Sequence, residues 1–246
     1  MFDSDRRATA DVTLRAASSY VFRGQVMTDY PVLQAGTQVD LPTRGGGGTT
    51  FAALGNLDLT DRVGRAWFGP DHAGEFTEID LSVRHTRSFG PVEVAAGLVH
   101  YSWANGEQFR FVPFPPTSEV FATVGGALLG FRPAITAHYD IDEVHGLYVR
   151  ADVGRSFDLG GKTSLGLLGW IAWSNAQHSE WLYRTNGSAL ADAGLEARVT
   201  FDLDEVTALH VGISGSTIVD DGLRDWFSTR IEADNVWLDI GLTWRF

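Results

Sequence analysis

The last eleven residues, VWLDIGLTWRF, alternate without a break: Val236, Leu238, Ile240, Leu242, Trp244 and Phe246 fall on one face of an extended strand, and Trp237, Asp239, Gly241, Thr243 and Arg245 on the other. Successive side chains of a strand point to opposite faces, so one face here is oily to its end. The same period of two recurs in about a dozen segments of roughly 9 to 13 residues, at 11–23, 31–41, 50–60, 76–87, 91–103, 118–126, 131–140, 146–157, 162–174, 190–202, 206–219 and 234–246. No amphipathic helical pattern competes with them. Length is the constraint that decides. Strands of globular sheets usually run to about 5–6 residues, whereas a tilted strand needs about 9–11 to cross a bilayer. A soluble sandwich accounts for any one of these segments but poorly for the length of all of them.

The connections have a parity. Those after 76–87, 146–157 and 190–202 are tight (SFGP, DLGG, DLDE), and those after 50–60, 91–103, 162–174 and 206–219 are long and rich in Gly, Pro, Trp and Asn. Two depart from it: PTRGGGG after 31–41 is long for its side, and the connection after 131–140 is short for its own. Short turns at one end, long loops at the other and an even strand count predict an all-β fold: a twelve-stranded, up-and-down, antiparallel transmembrane β-barrel, with short periplasmic turns and longer extracellular loops. Residues 1–10 are expected to form a periplasmic tail and 11–246 the single barrel domain.

A membrane barrel is apolar outside and polar inside. In 190–202 the outward set is Ala191, Ala193, Leu195, Ala197, Val199 and Phe201, opposite Asp192, Gly194, Glu196, Arg198, Thr200 and Asp202. In 76–87, Ile79, Leu81 and Val83 oppose Glu78, Asp80, Ser82 and Arg84. In 11–23, Val12, Leu14, Ala16, Tyr20 and Phe22 oppose Thr13, Arg15, Ser19 and Arg23. Aromatics gather near predicted strand ends (Tyr20, Phe22, Trp103, Trp173, Trp244, Phe246), as an interfacial girdle requires. The predicted lumen or solute path is Arg15, Arg23, Glu78, Asp80, Arg84, Arg132, His138, Asp140, Arg150, Asp152, Asp192, Glu196, Arg198, Asp239 and Arg245, with Asp40, Asp58, Glu93, Glu119 and Asp202 on the same face. So many charges must pair or sit in water.

Composition closes other classes. The net charge of −12 argues against nucleic acid as a partner, since phosphate binding needs a basic face. The absence of cysteine excludes a disulfide framework and thiolate metal sites. No stretch approaches the roughly 20 apolar residues of a spanning helix. The opening MFDSDRRATA lacks the apolar core of a signal peptide, and the expectation is a chain whose signal has been removed.

The stretch SSYVFRGQVMTDYPVLQAGTQVD resembles the opening of the TorF-like conserved-hypothetical family of proteobacterial outer-membrane proteins, in which a Tyr-aromatic-Arg-Gly element precedes a Pro and an alternating strand. TEIDLSVRHTRSFGPVEVAAGLVHY, SEVFATVGG and GLYVRADVGRSFDLGGKTSLGLLGW resemble that family's middle strands in order and spacing. The resemblance implies the barrel fold and an outer-membrane location, with outer-membrane lipids and lipopolysaccharide as surroundings, and it assigns no activity. Trp244 and the terminal Phe246 resemble the signal by which the barrel-assembly machinery recognises its clients.

Other motifs read plainly. GGKTS at 160–164 resembles half of a phosphate-binding loop, but the glycine the motif needs is replaced by Ser156, and a tight turn is expected. The run Gly45–Gly48 reads as a flexible turn. The seven histidines make no metal-binding spacing, no cofactor or metal is expected, and His72 and His178 read as solvated loop residues. His100 and Ser102 share a strand face near the predicted extracellular end, as does the His-x-Ser pair of outer-membrane phospholipase A, but the asparagine that follows there is replaced by WAN. The expected function is passive passage of a small polar solute, with cations or zwitterions favoured by the acidic excess. The alternatives are a structural or surface-interaction barrel with a plugged lumen, and a lipid esterase.

Overall fold

The computed structural model describes residues 7–43, 46–62, 66–68, 73–104, 114–227 and 231–246. The strands are β1 (Thr9–Ala17), β2 (Tyr20–Phe22), β3 (Gln25–Thr28), β4 (Val32–Thr43), β5 (Gly47–Asp58), β6 (Phe76–Phe89) and β7 (Val92–Ser102). There follow β8 (Thr117–Gly126), β9 (Arg132–Asp140), β10 (Leu147–Gly160), β11 (Thr163–Ser174), β12 (Ala189–Asp202), β13 (Thr207–Ile218) and β14 (Asp234–Arg245). Two short helices, α1 (Ala176–Tyr183) and α2 (Asp221–Phe227), lie in the β11–β12 and β13–β14 connections. Twelve strands close an antiparallel barrel in the order β1-β14-β13-β12-β11-β10-β9-β8-β7-β6-β5-β4, while β2 and β3 form a separate hairpin.

The terminal strand alternates because it closes the barrel. Leu14 lies opposite Leu242 and Val12 opposite Trp244 on the outside, with Arg15 opposite Gly241 inside. Phe246 secures the seam, its carbonyl accepting from Ala10 N–H at 3.0 Å and its N–H donating to Ala10 O at 2.8 Å. Outward apolar side chains stay bare: Leu195 is 72 % and Val236 74 % exposed. A continuous apolar belt of this kind suits hydrocarbon and would be a liability in water.

The parity of the connections is more regular than the sequence suggests. At one end they are 44–46, 90–91, 127–131, 161–162 and 203–206; at the other, 18–31, 59–75, 103–116, 141–146, 175–188 and 219–233. PTRGGGG is mostly strand, since β4 runs through Thr43 and β5 begins at Gly47. The largest departure is at the start. The segment 11–23 is not one strand, because β1 stops at Ala17 and the chain turns inward. The helices escaped the periodicity because eight and seven residues make too few turns to show it; α1 is fixed instead by its cap, where the Asn175 side chain accepts from His178 N–H at 3.0 Å.

Candidate functional site

The site is the lumen, and the β2–β3 hairpin divides it. At the end of β1, Ser18 N–H donates to Leu238 O at 2.9 Å and the Ser18 hydroxyl accepts from Leu238 N–H at 3.0 Å. The chain then leaves the wall. Phe22 pairs with Gln25 across a two-residue turn, Arg23-Gly24, with φ of 47° and 76°. Positive φ at both positions is the turn type that matches the twist of a hairpin. A Cβ on Gly24 would lie 2.6 Å from Asp192 Cβ and 2.9 Å from Ile218 Cδ1, so only glycine lets the tip reach the opposite wall. The tip is held there by Asn235 Nδ2, which donates to Gly24 O at 3.1 Å, and by the Tyr183 hydroxyl, which donates to Arg23 O at 3.0 Å.

Arg23 is the centre of this crossing. Its guanidinium forks onto Glu119, Nη1 to Oε1 at 2.8 Å and Nη2 to Oε2 at 2.6 Å, with the two side chains 7 % and 3 % exposed. Nη1 also donates to His178 Nε2 at 2.7 Å, and the Tyr148 ring lies 4.3 Å below the guanidinium carbon. A guanidinium cannot accept, so His178 is neutral with its proton on Nδ1. Burial, with the charge of Arg23 adding to it, holds the His178 pKa well below its ordinary value. The helix that carries His178 approaches the wall at Gly146, where a Cβ would meet His178 Cα at 2.7 Å. Met27, Trp67, Phe114, Leu182 and Leu223 fill the surrounding space with almost no exposure. The end of the lumen that carries the long loops is therefore packed like a protein core.

Towards the tight turns the lumen opens. A cavity of about 490 Å³ is lined by Thr13, Arg15, Tyr20, Phe22, Gln34, Asp80, Arg198, His210 and Thr243 among others. Arg198 bridges Glu196 and Asp239 at 3.0 and 2.9 Å, and Arg15 stands 4.0 Å from Asp239 while donating to Gln34 Oε1 at 2.8 Å. Higher on the wall, Arg150 pairs with Asp152 at 2.7 Å and lies 4.6 Å over the Trp170 ring. At the rim, Arg84 pairs with Glu93 at 3.5 Å and Arg245 with Asp202 at 3.2 Å; Arg132 lines a small recess beside Arg84 and Glu93.

Every strand residue expected in the lumen lies on the inner face by register, but the roles differ. Asp140 is consumed locally, accepting N–H bonds from Asp142, Val144 and His145 at 3.0, 2.8 and 3.3 Å. Asp192 accepts from Tyr148 Oη and Trp170 Nε1, both at 2.8 Å. Glu78 accepts from the Tyr20 hydroxyl, and His138 Nδ1 lies 3.1 Å from Glu119 Oε2. Arg23 reaches the lumen from the hairpin tip and not from a strand. Three expectations fail with it: Tyr20, Phe22 and Trp103 belong to the plug and not to an interfacial girdle, with Phe22 5.5 Å from the Tyr101 ring and 5.8 Å from that of Trp103. His178 is likewise buried and not solvated, while His72 lies outside the described residues. Tyr101, Tyr148 and Trp170 were legible as inward by strand parity but are uncharged, and an inventory of charges passes over them.

His100 and Ser102 face outward near the long-loop end. His100 Nδ1 lies 3.0 Å from the hydroxyl of Ser118 on β8, so its hydrogen bond runs across the strands and not along β7 to Ser102.

No family model matches the chain, so the TorF-like resemblance rests on the quoted segments alone. Human mitochondrial aspartate–tRNA ligase is 36 % identical over 78 residues, which is 29 % of this chain and 12 % of that protein; the bovine enzyme is 33 % identical over 78 residues. The chain thus spans about an eighth of the length of the curated relatives it matches. Solved structures align over nearly the whole barrel. An outer-membrane channel from Pseudomonas putida F1 superposes with a TM-score of 0.57 at 9 % identity, covering 97 % of this chain and 95 % of that one. The NanC porin gives 0.56 at 8 % identity, covering 95 % and 98 %. The calcium-bound outer-membrane phospholipase dimer of Salmonella typhi gives 0.51 at 10 % identity, covering 95 % and 90 %. At these identities the likeness concerns the fold, and the fold is that of the bacterial outer-membrane β-barrels, porins and channels among them.

Proposed function

We propose that the protein sits in the bacterial outer membrane and is a narrow channel for small polar solutes, closed in this conformation by the Tyr20–Thr28 hairpin. The apolar belt supports the location. The observation that carries the channel reading is the contrast within the lumen: a polar cavity of about 490 Å³ on one side of the hairpin, and on the other a plug whose hairpin lies outside the wall's strand ladder and is fastened at its tip by the Arg23–Glu119 fork and by Asn235. Because the cavity's arginines are already paired with Glu196 and Asp239, it suits a zwitterion or neutral polar solute better than an anion.

The second reading, a plugged structural barrel, draws on the depth of the Arg23–Glu119 pair. Planar-bilayer conductance distinguishes them. Wild type should pass little current, and replacing residues 20–28 by a short Gly-Ser linker should open steps of conductance with the barrel intact. A hairpin-less barrel that folds and stays silent would turn the assignment to the structural barrel. Hydrolysis is the third reading, and here the His100 ring bonds Ser118 and not Ser102. Release of fatty acid from phospholipid by wild type and its loss in Ser102→Ala would revive it.

A further inference from the structure

The outer wall carries an apolar depression across β10 to β14; a second, of about 520 Å³, is lined by Val12, Leu14, Phe76 and Trp244 among others, and has no unpaired cation among its lining residues. Across β10 to β14 one hydrogen-bonded row reads Val153, Gly169, Leu195, Gly215, Val236, large and absent side chains in turn. The row leaves an apolar groove of about 620 Å³. Gly215 is not there to avoid a clash, since a Cβ would meet its nearest neighbour, Asn235 O, at an ordinary 3.5 Å. Its missing side chain shapes the wall. Four inter-strand spacings of about 4.8 Å make the row about 19 Å long, and because barrel strands tilt by about 35–45° it runs obliquely through the bilayer.

At the β10 end of the groove stands Arg155. It is exposed on the outer face, its guanidinium carbon lies 4.8 Å over the rings of both Phe131 and Phe157, and no carboxylate among the described residues pairs with it. An unpaired cation facing lipid is costly unless it meets the polar head-group layer or an anion held there. Arg155 lies towards the tight-turn end of β10, beside Phe131, the last residue of the 127–131 connection, and girdles of aromatic residues flank the apolar band of membrane barrels at both interfaces.

We propose that this groove is a specific site for one glycerophospholipid of the periplasmic leaflet, its phosphate on Arg155 and one acyl chain laid along the Val153–Val236 row. The inference rests on the outer-membrane location proposed above. Charge and shape point to the same occupant: a single guanidinium matches a single phosphodiester, and an oblique apolar channel matches one chain.

The test is native mass spectrometry of detergent-purified barrel after incubation with phosphatidylglycerol and phosphatidylethanolamine, and separately with lipopolysaccharide. Wild type should retain one phospholipid per barrel; Arg155→Gln should cut retention about tenfold, and Gly215→Leu, which fills the groove, should do the same. Arg155→Gln alters only an exposed side chain, so it keeps the test open if Gly215→Leu fails to fold. Equal retention by wild type and Arg155→Gln overturns the site. So does preferential retention of lipopolysaccharide, or a two-barrel species lost in Gly215→Leu, which would make the groove a contact between copies. Heat-modifiable migration and recovery with membranes report the location separately, so a barrel that passes those and holds no lipid defeats this proposal alone.

Discussion

Arg23 shows what a single side chain does when it is carried across a lumen. Its fork onto Glu119 puts two charges where almost no water reaches, so Arg23→Ala strands a carboxylate in a low-dielectric setting and should loosen the plug by about 3–5 kcal/mol. Thermal melts of the two proteins should show the loss, and an unchanged melting temperature would mean that water already reaches Glu119. Gly24→Ala is the complementary change. It removes no charge, yet it forces a Cβ against Asp192 and Ile218 at positive φ, and should raise conductance while the Arg23 pair is chemically intact. His178 adds a pH dependence. Arg23, Glu119, His138, Tyr148 and Tyr183 all face it. Its pKa is depressed when the plug is docked, and a free histidine titrates near about 6.5. The undocked state therefore binds more protons as pH falls, so docking is firm above about 6.5 and weakens below it. Conductance should rise between about pH 7.5 and 5.5, and His178→Gln, which keeps an acceptor for Arg23, should flatten that rise. A wild-type profile as flat as the variant's removes the histidine from the mechanism.

At the scale of elements, alternation made twelve strands and their faces legible, and it misread the first for a definite reason. Tyr20 and Phe22 keep the parity of Val12, Leu14 and Ala16, so a chain that bends inward after Ala17 preserves the period of two through the bend. Parity reports which side a residue takes only while the wall continues. The small residues Ala16, Ala17, Ser18 and Ser19, and the Arg-Gly pair that forms the turn, were the available signals. The charged strand positions share the inner face because register is set by the buried pattern. Their partners were out of reach, since which arginine meets which carboxylate depends on closure between strands distant in sequence. The last strand makes its own prediction. Deleting Phe246 removes both of its backbone bonds to Ala10 and should lower the heat-modifiable, assembled fraction with little change in synthesis. Equal assembly of wild type and truncation would leave Phe246 as an ordinary strand end.

The whole molecule joins a wall built for hydrocarbon to an interior that is core-like at one end and wet at the other. Its outer face is so apolar that the protein should be recovered with outer membranes and only with detergent, migrating faster unheated than boiled. Recovery in the aqueous fraction would contradict the barrel's proposed setting. The seam joins β1 to β14 across a separation of 230 residues, as in the Thr13–Thr243 contact, and contacts so distant in sequence form late because ordering the intervening chain is entropically costly. The hairpin follows β1 directly, yet its tip rests on Asp192 of β12, Ile218 of β13 and Asn235 at the start of β14. While the sheet is still an open, curling ribbon, those contacts already set the distance between its two free edges. The plug is then a mandrel as well as a stopper: it holds the curvature that lets the last strand find the first. A barrel without it should refold into micelles more slowly than wild type, even where the finished wall is equally stable.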